Sequence, residues 1–311
     1  MHIVVTLCTR RRPVMLQHCL RSIVAQQPPR ETSISIVVVE NNETDDCRSI
    51  VEQIAAQCDV PIVYEHEIGI GIPVARNRSL ELALALNPDW IAFVDDDEVA
   101  SPDWIAALLK GAGTYSADVV EGYVQWLHAE TGIAVDNDRK RRPSGLRRKT
   151  AATSNTMMRA SIASAAGLGL RFDESMRHSG GSDMEYFFRA ADRGAVIVWV
   201  DEAVVFESVP AERLTLDWQL QRERRIGANA VTIALRRWGK ARTLLRVGPK
   251  FVGRVGGAGL EFLASAIIYP FNRTKGSQLF AGARRKVWWA AGALGGTFHI
   301  TPQPYRRVDG Y

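Results

Sequence analysis

Apolar positions in the first half of this chain follow two alternating patterns. Ile3–Leu7, Ser33–Val39, Pro61–Tyr64 and residues 90–94 are short, nearly continuous apolar runs, the pattern of strands buried in a parallel sheet. Between them the apolar residues recur at helical spacing. Val14–Ala25 places Leu16, Cys19, Leu20, Ile23 and Val24 on one face, and helices are predicted around Arg48–Gln57 and over Pro73–Leu86. Proline opens the last of these, in the first turn, where a helix tolerates it. Ser101-Pro102-Asp103 reads as the capped start of another helix. This βαβαβαβα order predicts a parallel sheet with right-handed crossovers. A dinucleotide site is disfavoured, because Leu7-Cys8-Thr9-Arg10 follows the first strand in place of Gly-x-Gly-x-x-Gly.

From about Asp118 the pattern loosens. Val119–Leu127 and Thr150–Met158 are strand-like, and the basic stretch between them, residues 139–149, predicts a mobile loop. Ser161 caps a short helix, and Gly180-Gly181-Ser182 precedes a helix over Asp183–Arg193. Two short strands, Ala195–Val200 and Ala203–Phe206, lead to an arginine-rich helix from about Arg213 to Trp238. The division this suggests is a domain over 1–240 and a helical segment over 241–311. In that tail, Leu244–Phe271 and Lys286–Gly296 are apolar and rich in small residues, broken by Lys250, Arg254 and Glu261. Trp288, Trp289, Phe298 and Tyr305 stand near Arg284, Arg285 and Lys286. Amphipathic helices with such flanks suit a membrane interface, and equally a protein surface.

Composition changes little in this picture. A chain of 311 residues with 46% hydrophobic and 23% charged residues is an ordinary globular protein with core enough for a large domain and an appendage. The net charge of +5 is concentrated in residues 139–149 and after Arg222, which suits anionic partners. No recognition element for nucleic acid accompanies it. Cys8, Cys19, Cys47 and Cys58 form no Cys-x-x-Cys pair, which predicts free thiols in a reducing cytosol. Met1 leads straight into a strand and then Arg10–Arg12, unlike a signal peptide. No run of 18 uncharged apolar residues is present, so a membrane span is not expected.

The chemistry concentrates where the fourth strand ends, in Asp95-Asp96-Asp97-Glu98. Ligands of open α/β sheets sit beyond the carboxyl ends of the strands. Adjacent carboxylates there repel one another unless a cation offsets them. Hard cations such as Mg²⁺ or Mn²⁺ take one or two carboxylates plus phosphate oxygens, which points to a metal-bridged diphosphate. Alone, the triplet would equally suit the start of a helix.

Further motifs follow in order: Thr9-Arg10; Glu40-Asn41-Asn42 with Thr44-Asp45; Gly69-Ile70-Gly71-Ile72-Pro73-Val74-Ala75-Arg76-Asn77; Thr153-Ser154-Asn155; and Gly180-Gly181-Ser182-Asp183. With the acidic triplet, this series over roughly residues 2–230 resembles the family 2 glycosyltransferases, inverting enzymes of the GT-A fold. That resemblance implies an α/β fold with a mixed, mostly parallel sheet, followed here by C-terminal amphipathic helices. It implies a nucleotide-sugar donor, most readily a UDP-hexose, and Mg²⁺ or Mn²⁺. Thr9, Arg10 and Glu40 fall where the family holds the nucleoside, with glutamate in place of the commoner aspartate. Arg76 and Asn77 open the helix that seats the nucleotide. Asp95, with Asp96 beside it, falls near the ribose or sugar, and Asp97, with Asp95, where the metal is held. Asp183 matches the base that takes the acceptor hydroxyl's proton, which one in-line displacement requires. By its place it is also a helix N-cap, and its neighbour is Ser182 where the family often has glutamate.

The block Val205–Arg213, with Trp218 and Arg222–Arg225, resembles the region after the base, with Glu207 where many relatives carry histidine. Arg222 and Arg225 could clamp phosphate or form a solvated helix face, and Asn155 could contact acceptor or phosphate. This block and the tail are most similar to bacterial exopolysaccharide glycosyltransferases of the succinoglycan type. Those imply a polyprenyl-diphosphate-linked acceptor at the inner face of the cytoplasmic membrane, where the basic stretch 139–149 would meet acidic headgroups. Two other classes compete. A sugar-phosphate nucleotidyltransferase would need an early glycine-rich loop, which is missing. A catalytically silent membrane scaffold sits poorly with the intact Asp95, Asp97 and Asp183.

Overall fold

The computed structural model describes residues 1–135, 141–298 and 300. Arg139, Lys140 and Tyr305, parts of the expected basic loop and aromatic flank, lie outside the described residues. The chain forms two compact units, Met1–His178 with Ser182–Val209, and Pro210 onward with Ser179–Gly181.

The first unit is built on the predicted alternation. Strands β1 (His2–Thr9), β2 (Ser33–Glu40), β3 (Ile62–His66) and β4 (Trp90–Phe93) are joined by helices α1 (Pro13–Val24), α2 (Arg48–Ala55) and α3 (Ile72–Ala85). β1 pairs in parallel with β2 and β4, and β2 with β3. The apolar runs are strands for the reason given: Ile3, Val4, Val5, Ile36, Val37, Val38 and Ile91 are fully buried, as strands covered on both faces require. The register makes Thr9 and Glu40 direct neighbours at the strand ends. The chain continues through β5 (Glu98–Ala100), α4 (Trp104–Thr114), β6 (Val119–His128), β7 (Ala134–Val135), β8 (Arg147–Arg148), β9 (Thr156–Arg159), α5 (Ser182–Asp192) and β10 (Ile197–Val209). Ten strands among the described residues make one mixed sheet whose main path runs β3-β2-β1-β4-β9-β6-β10-β5. β9 is antiparallel to both β4 and β6, which is where the sheet ceases to be parallel.

Several expectations need correction. The α4 start has Asp103 at the N-cap position, and its side chain makes no capping bond. Only residues 156–159 of the expected strand 150–158 are extended in the sheet; Ala160 then opens a 3-10 turn. The two strands expected over 195–206 are one, bent by an irregularity between Val200 and Val204. The stretch 141–149 is pinned rather than loose. Arg141 bonds Asp201, Ser144 bonds Glu202, Arg148 pairs with Glu121, and Arg141 lies over the Tyr123 ring. Those arginines face protein groups of their own unit. All four cysteines are free; Cys19 and Cys47 are buried, Cys8 and Cys58 half-buried.

The second unit is a bundle of three helical stretches, the first two being the parts of one long element on either side of Gly239. A short helix α6 (Ala211–Leu214) precedes α7 (Leu216–Ile268), which starts on the Thr215 hydroxyl accepting from the Trp218 N–H. At Gly239 (φ 71°, ψ 176°) the chain turns back, so the helix predicted to Trp238 and the apolar stretch after it lie side by side: Arg254 reaches Glu223 at 3.2 Å, and Val231, Val247, Phe251 and Trp289 share one apolar cluster. α8 (Arg273–Thr297) returns alongside, capped by Asn272. Glycines set the contact: a Cβ at Gly227 would lie 2.0 Å from the Trp289 carbonyl oxygen, and one at Gly292 only 1.8 Å from that of Arg224. Trp289 is fully buried here, with Arg254 and Lys250 over its ring. Among the described residues α7 is long and apolar enough to cross a membrane, and only 11% of its apolar stretch is buried.

Candidate active site

The carboxyl ends of β1 and β4 bring opposite charges together. Pro13 begins α1, and Arg12 just before it caps nothing with its side chain, leaving its guanidinium to reach across. It bonds Asp96 at 3.1 Å and Asp97 at 3.0 Å, with only 16% of its side chain exposed. The Thr9 hydroxyl donates to the second Asp96 oxygen at 2.7 Å. Arg76, one turn into α3, stands 3.8 Å from Asp95 and over the Phe172 ring. Asp95 is the outermost of the three, its side chain 45% exposed. A small cleft lined by Thr6, Cys8, Arg76, Phe93, Asp95 and Thr153 opens beside it. Arg10, at the β1 end, has a buried Nε with no hydrogen-bond partner.

The triplet is held from beneath. Glu98, 1% exposed, accepts from the Asp95 N–H at 2.9 Å, the Asp95 carbonyl accepts from Glu98, and the Asp97 carbonyl accepts from Ser208 on β10. β5 therefore fixes the turn by pairing antiparallel with β10, Glu98 opposite Glu207. Glu207 itself accepts from the Trp126 indole at 2.8 Å. Burial, then Asp95 and Glu207, push the Glu98 carboxyl well above the usual carboxylate range. Asp96 is raised to about 7 by burial and the Asp97 charge, against the pull of Arg12 and Thr9. An acid whose folded pKa stands above the unfolded value near 3.9 contributes stability that is full below that value and lost as pH climbs towards 7. Asp96→Asn is accordingly expected to flatten the dependence of Tm on pH across that window, checked by thermal melts at successive pH values.

Other expected site residues are engaged with the protein. Glu40 is fully buried, and its carboxylate accepts from the Asp46 and Cys47 N–H groups and the Tyr64 hydroxyl. It ties down the loop after β2. Asn41, beside it, reaches the glycine loop instead: its amide donates to the Glu67 and Gly69 carbonyls and accepts from Gly71. Gly71 sits at φ 148°, where a Cβ would strike the Arg177 side chain at 2.7 Å. Asn77 bonds Phe172 and Glu174, fastening α3 to the segment ahead of α5. Asn155 is wholly buried at φ 53°, its amide given to the Trp104 indole and the Tyr123 and Ala203 carbonyls. Three of the four hydrogen bonds this side chain can make are thus spent inside the protein.

Asp183 is the second residue of α5, half-buried in its first turn with Glu185. The turn before it needs Gly180 at φ 72° and Gly181 at φ 83°, a conformation that glycine adopts without strain. Arg222 and Arg225 lie on α7 in the second unit, the former over the Trp218 ring. Arg12 is the site residue that sequence reasoning passed over. Three successive arginines read alike, and the only signal was the proline after the third.

A parallel half whose strand ends carry paired carboxylates, continued by an antiparallel strand and a glycine turn into an acidic helix start, is the GT-A fold of glycosyltransferases. The sequence profile of Glycosyl transferase family 2 matches residues 3–164, and the chain belongs to that family; it is a glycosyltransferase. It is 32% identical over 232 residues to the succinoglycan biosynthesis protein ExoM of Rhizobium meliloti, 73% of each chain. Among solved structures it is similar to the mannosyltransferase PcManGT of Pyrobaculum calidifontis, determined with GDP-Man and Mn²⁺. There the TM-score is 0.62 at 14% identity, over 96% of this chain and 87% of that one. It is also similar to residues 1–349 of S. aureus TarS with UDP, with a TM-score of 0.56 at 16% identity over 100% and 95% of the two chains.

Proposed function

We propose that this enzyme moves a hexose with inversion from a UDP-sugar to a hydroxyl of a lipid-linked oligosaccharide or similar glycan. The observation that carries the reading is the meeting of Asp95, Asp96 and Asp97 with Arg12 and Arg76 at the strand ends. A cluster of this kind can receive a diphosphate and its counter-cation in one place. Donor chemistry of this type also occurs in fold relatives determined with UDP or with GDP-Man and Mn²⁺.

A divalent metal fits the donor set. The available atoms are carboxylate oxygens, and among the described residues no group of three His, Cys, Asp or Glu is gathered to hold an ion unaided. Mg²⁺ and Mn²⁺ sites of this sort use one or two carboxylates and take the rest from phosphate. Asp97, with Asp95, would hold the ion, which when bound supplies Lewis-acid neutralisation of the departing diphosphate. Arg12 keeps Asp96 and Asp97 from repelling one another, and Arg76 orients Asp95 towards the sugar. Thr9 and Arg10 line the place of the nucleoside, Arg10 with an Nε still to be satisfied. Glu40 shapes that place by fixing the loop after β2, and Asn77 by fixing α3. Asp183 accepts the acceptor hydroxyl's proton as its oxygen bonds the anomeric carbon and the bond to the diphosphate oxygen breaks. An α-linked donor would give a β linkage. The succinoglycan relative supports exopolysaccharide assembly as the setting, and this reading places it at the inner face of the cytoplasmic membrane.

The test is binding and slow hydrolysis of UDP-glucose, UDP-galactose, GDP-mannose and dTDP-rhamnose with Mg²⁺ or Mn²⁺. Binding of one UDP-sugar that requires metal, and that Asp97→Ala weakens by at least about tenfold, is the expected result. Absence of binding to all four donors with either metal would overturn the proposal.

A further inference from the structure

The second unit carries a face that nothing in its own bundle covers. Between Val252 and Phe271 every exposed residue is uncharged. Leu260, Leu263, Ile267 and Phe271 are 70%, 66%, 68% and 89% exposed, and Val252 and Val255 extend the row. Leu260, Leu263 and Ile267 recur at three and four residues on one side of α7, Val252 and Val255 extend that side, and Phe271 stands in the turn just past its end, together over about 25 Å. Soluble monomers rarely present so long a contiguous apolar strip to water. The charges of this stretch are turned away from it. Arg254 pairs with Glu223 at 3.2 Å, and Glu261 with Lys286 of α8 at 2.6 Å.

Cations bracket the strip. Lys240, Arg242, Arg246 and Lys250 are exposed before it, Arg273 and Lys275 after it. Residues 210–311 hold 18 Lys and Arg against five Asp and Glu, whereas residues 1–209 hold 21 against 29. The bundle is therefore strongly basic in a chain whose remainder is acidic. A second copy facing this strip would bring the same positive charge against it. A bilayer rich in anionic lipid offers both complements, an apolar interior for the leucines and phosphates for the rim.

We infer that the outer face of α7 from Val252 to Ile267, with Phe271 just past its end, beds into the interface of an anionic bilayer, with the helix lying in the membrane plane. For its purpose this rests on the reading of a lipid-linked acceptor, but it is measured with neither donor nor acceptor. The in-plane orientation follows from α8. A spanning bundle would carry Arg284, Arg285 and Lys286, in the middle of α8, into hydrocarbon, where such charges are costly. Lying flat, the bundle keeps that cluster on the aqueous side and buries only the uncharged row.

The experiment is co-sedimentation of the full chain with vesicles of phosphatidylcholine alone, or of equal parts phosphatidylcholine and phosphatidylglycerol. Binding to the anionic vesicles is expected to be at least about tenfold tighter, to weaken with salt, and to be released by alkaline carbonate. Leu260→Asp with Leu263→Asp is expected to weaken it about tenfold or more; both positions are exposed, so circular dichroism should be unchanged. Binding by this variant equal to that of the wild type would overturn the assigned face, and retention after carbonate the in-plane orientation. A discrete dimer without vesicle binding, dissolved by the same variant, would instead make a second copy the occupant. Vesicle binding with no nucleotide-sugar binding would leave this inference standing and the proposed function overturned.

Discussion

Replacing Asp183 by asparagine is expected to lower kcat for sugar transfer by about 10²–10⁴-fold, the usual contribution of a general base. Donor affinity should stay within about twofold, because the nucleotide and diphosphate are assigned to the ends of β1, β2 and β4. The competing view is that Asp183 serves only the start of α5, where a negative charge favours the helix dipole. That role is worth about 0.3–1 kcal/mol at a helix start, far short of the several kcal/mol that such a rate loss represents. Asparagine also keeps the shape and an oxygen acceptor at that place. Transfer kinetics, nucleotide titration and a thermal melt on the same preparation separate the two. A melting point lowered by several degrees with kcat nearly intact would return Asp183 to a structural role.

The second large effect concerns stability, through Gly292. A methyl group there would lie 1.8 Å from the Arg224 carbonyl oxygen, with the Arg224 Cα at 2.9 Å, so backbone must yield and α7 and α8 must part. Helix propensity alone favours Gly→Ala by about 1 kcal/mol in a helix interior. Overpacking against rigid backbone costs about 1–3 kcal/mol or more, and Gly227 and Gly296 also approach backbone closely nearby, at 2.0 Å and 2.6 Å, so the strain has little room to relax. Gly292→Ala is expected to be destabilising by at least about 2 kcal/mol. Gly253→Ala is the internal control. It meets nothing within 4 Å and should stabilise α7 slightly. Urea unfolding of both, followed by tryptophan emission, checks the opposite signs; equal effects would mean that the helices do not meet through their glycines.

Much of the first unit was legible because its physics is local. A parallel strand buried on both faces is an uninterrupted apolar run, and Ile3–Leu7, Ser33–Val39 and residues 90–94 all have that form. The second half of the sheet was harder to read. β5 is three residues long and begins with Glu98, whose buried carboxyl has no hydrophobic signature. β9 falls within the strand-like run 150–158, but its start at Thr156 and its antiparallel pairing are set by strands far away in sequence. In the site, the acidic triplet and the glycine turn before Asp183 could be found from residue type and order. What each polar side chain touches could not. Glu40 and Asn155 have the chemistry of ligand contacts, yet they spend it on backbone and indole groups that only the folded chain brings near. Arg12 is the converse, anonymous among three arginines until the end of β4 comes within its reach. The tail gave its apolar character but not the inward turn of Arg254 and Glu261, which depends on partners on other turns and on α8.

Gly239 gives the bundle a mechanical property. From this residue α7 runs a further 29 positions to Ile268, about 44 Å of helix at 1.5 Å per residue. Along that length it lies against the stretch before Gly239, Arg254 reaching Glu223 at 3.2 Å, so this one residue sets how the two close on each other. A Cβ at Gly239 meets nothing within 4 Å, so its positive φ is the main thing a larger side chain would disturb. For an L-residue that conformation, which is essentially glycine's own, costs about 1–3 kcal/mol, a strain that would fall on the closure of the two helical stretches. The alignment of two long neighbouring helices is thus set by the two dihedral angles of one glycine between them, and a single methyl group there would strain it.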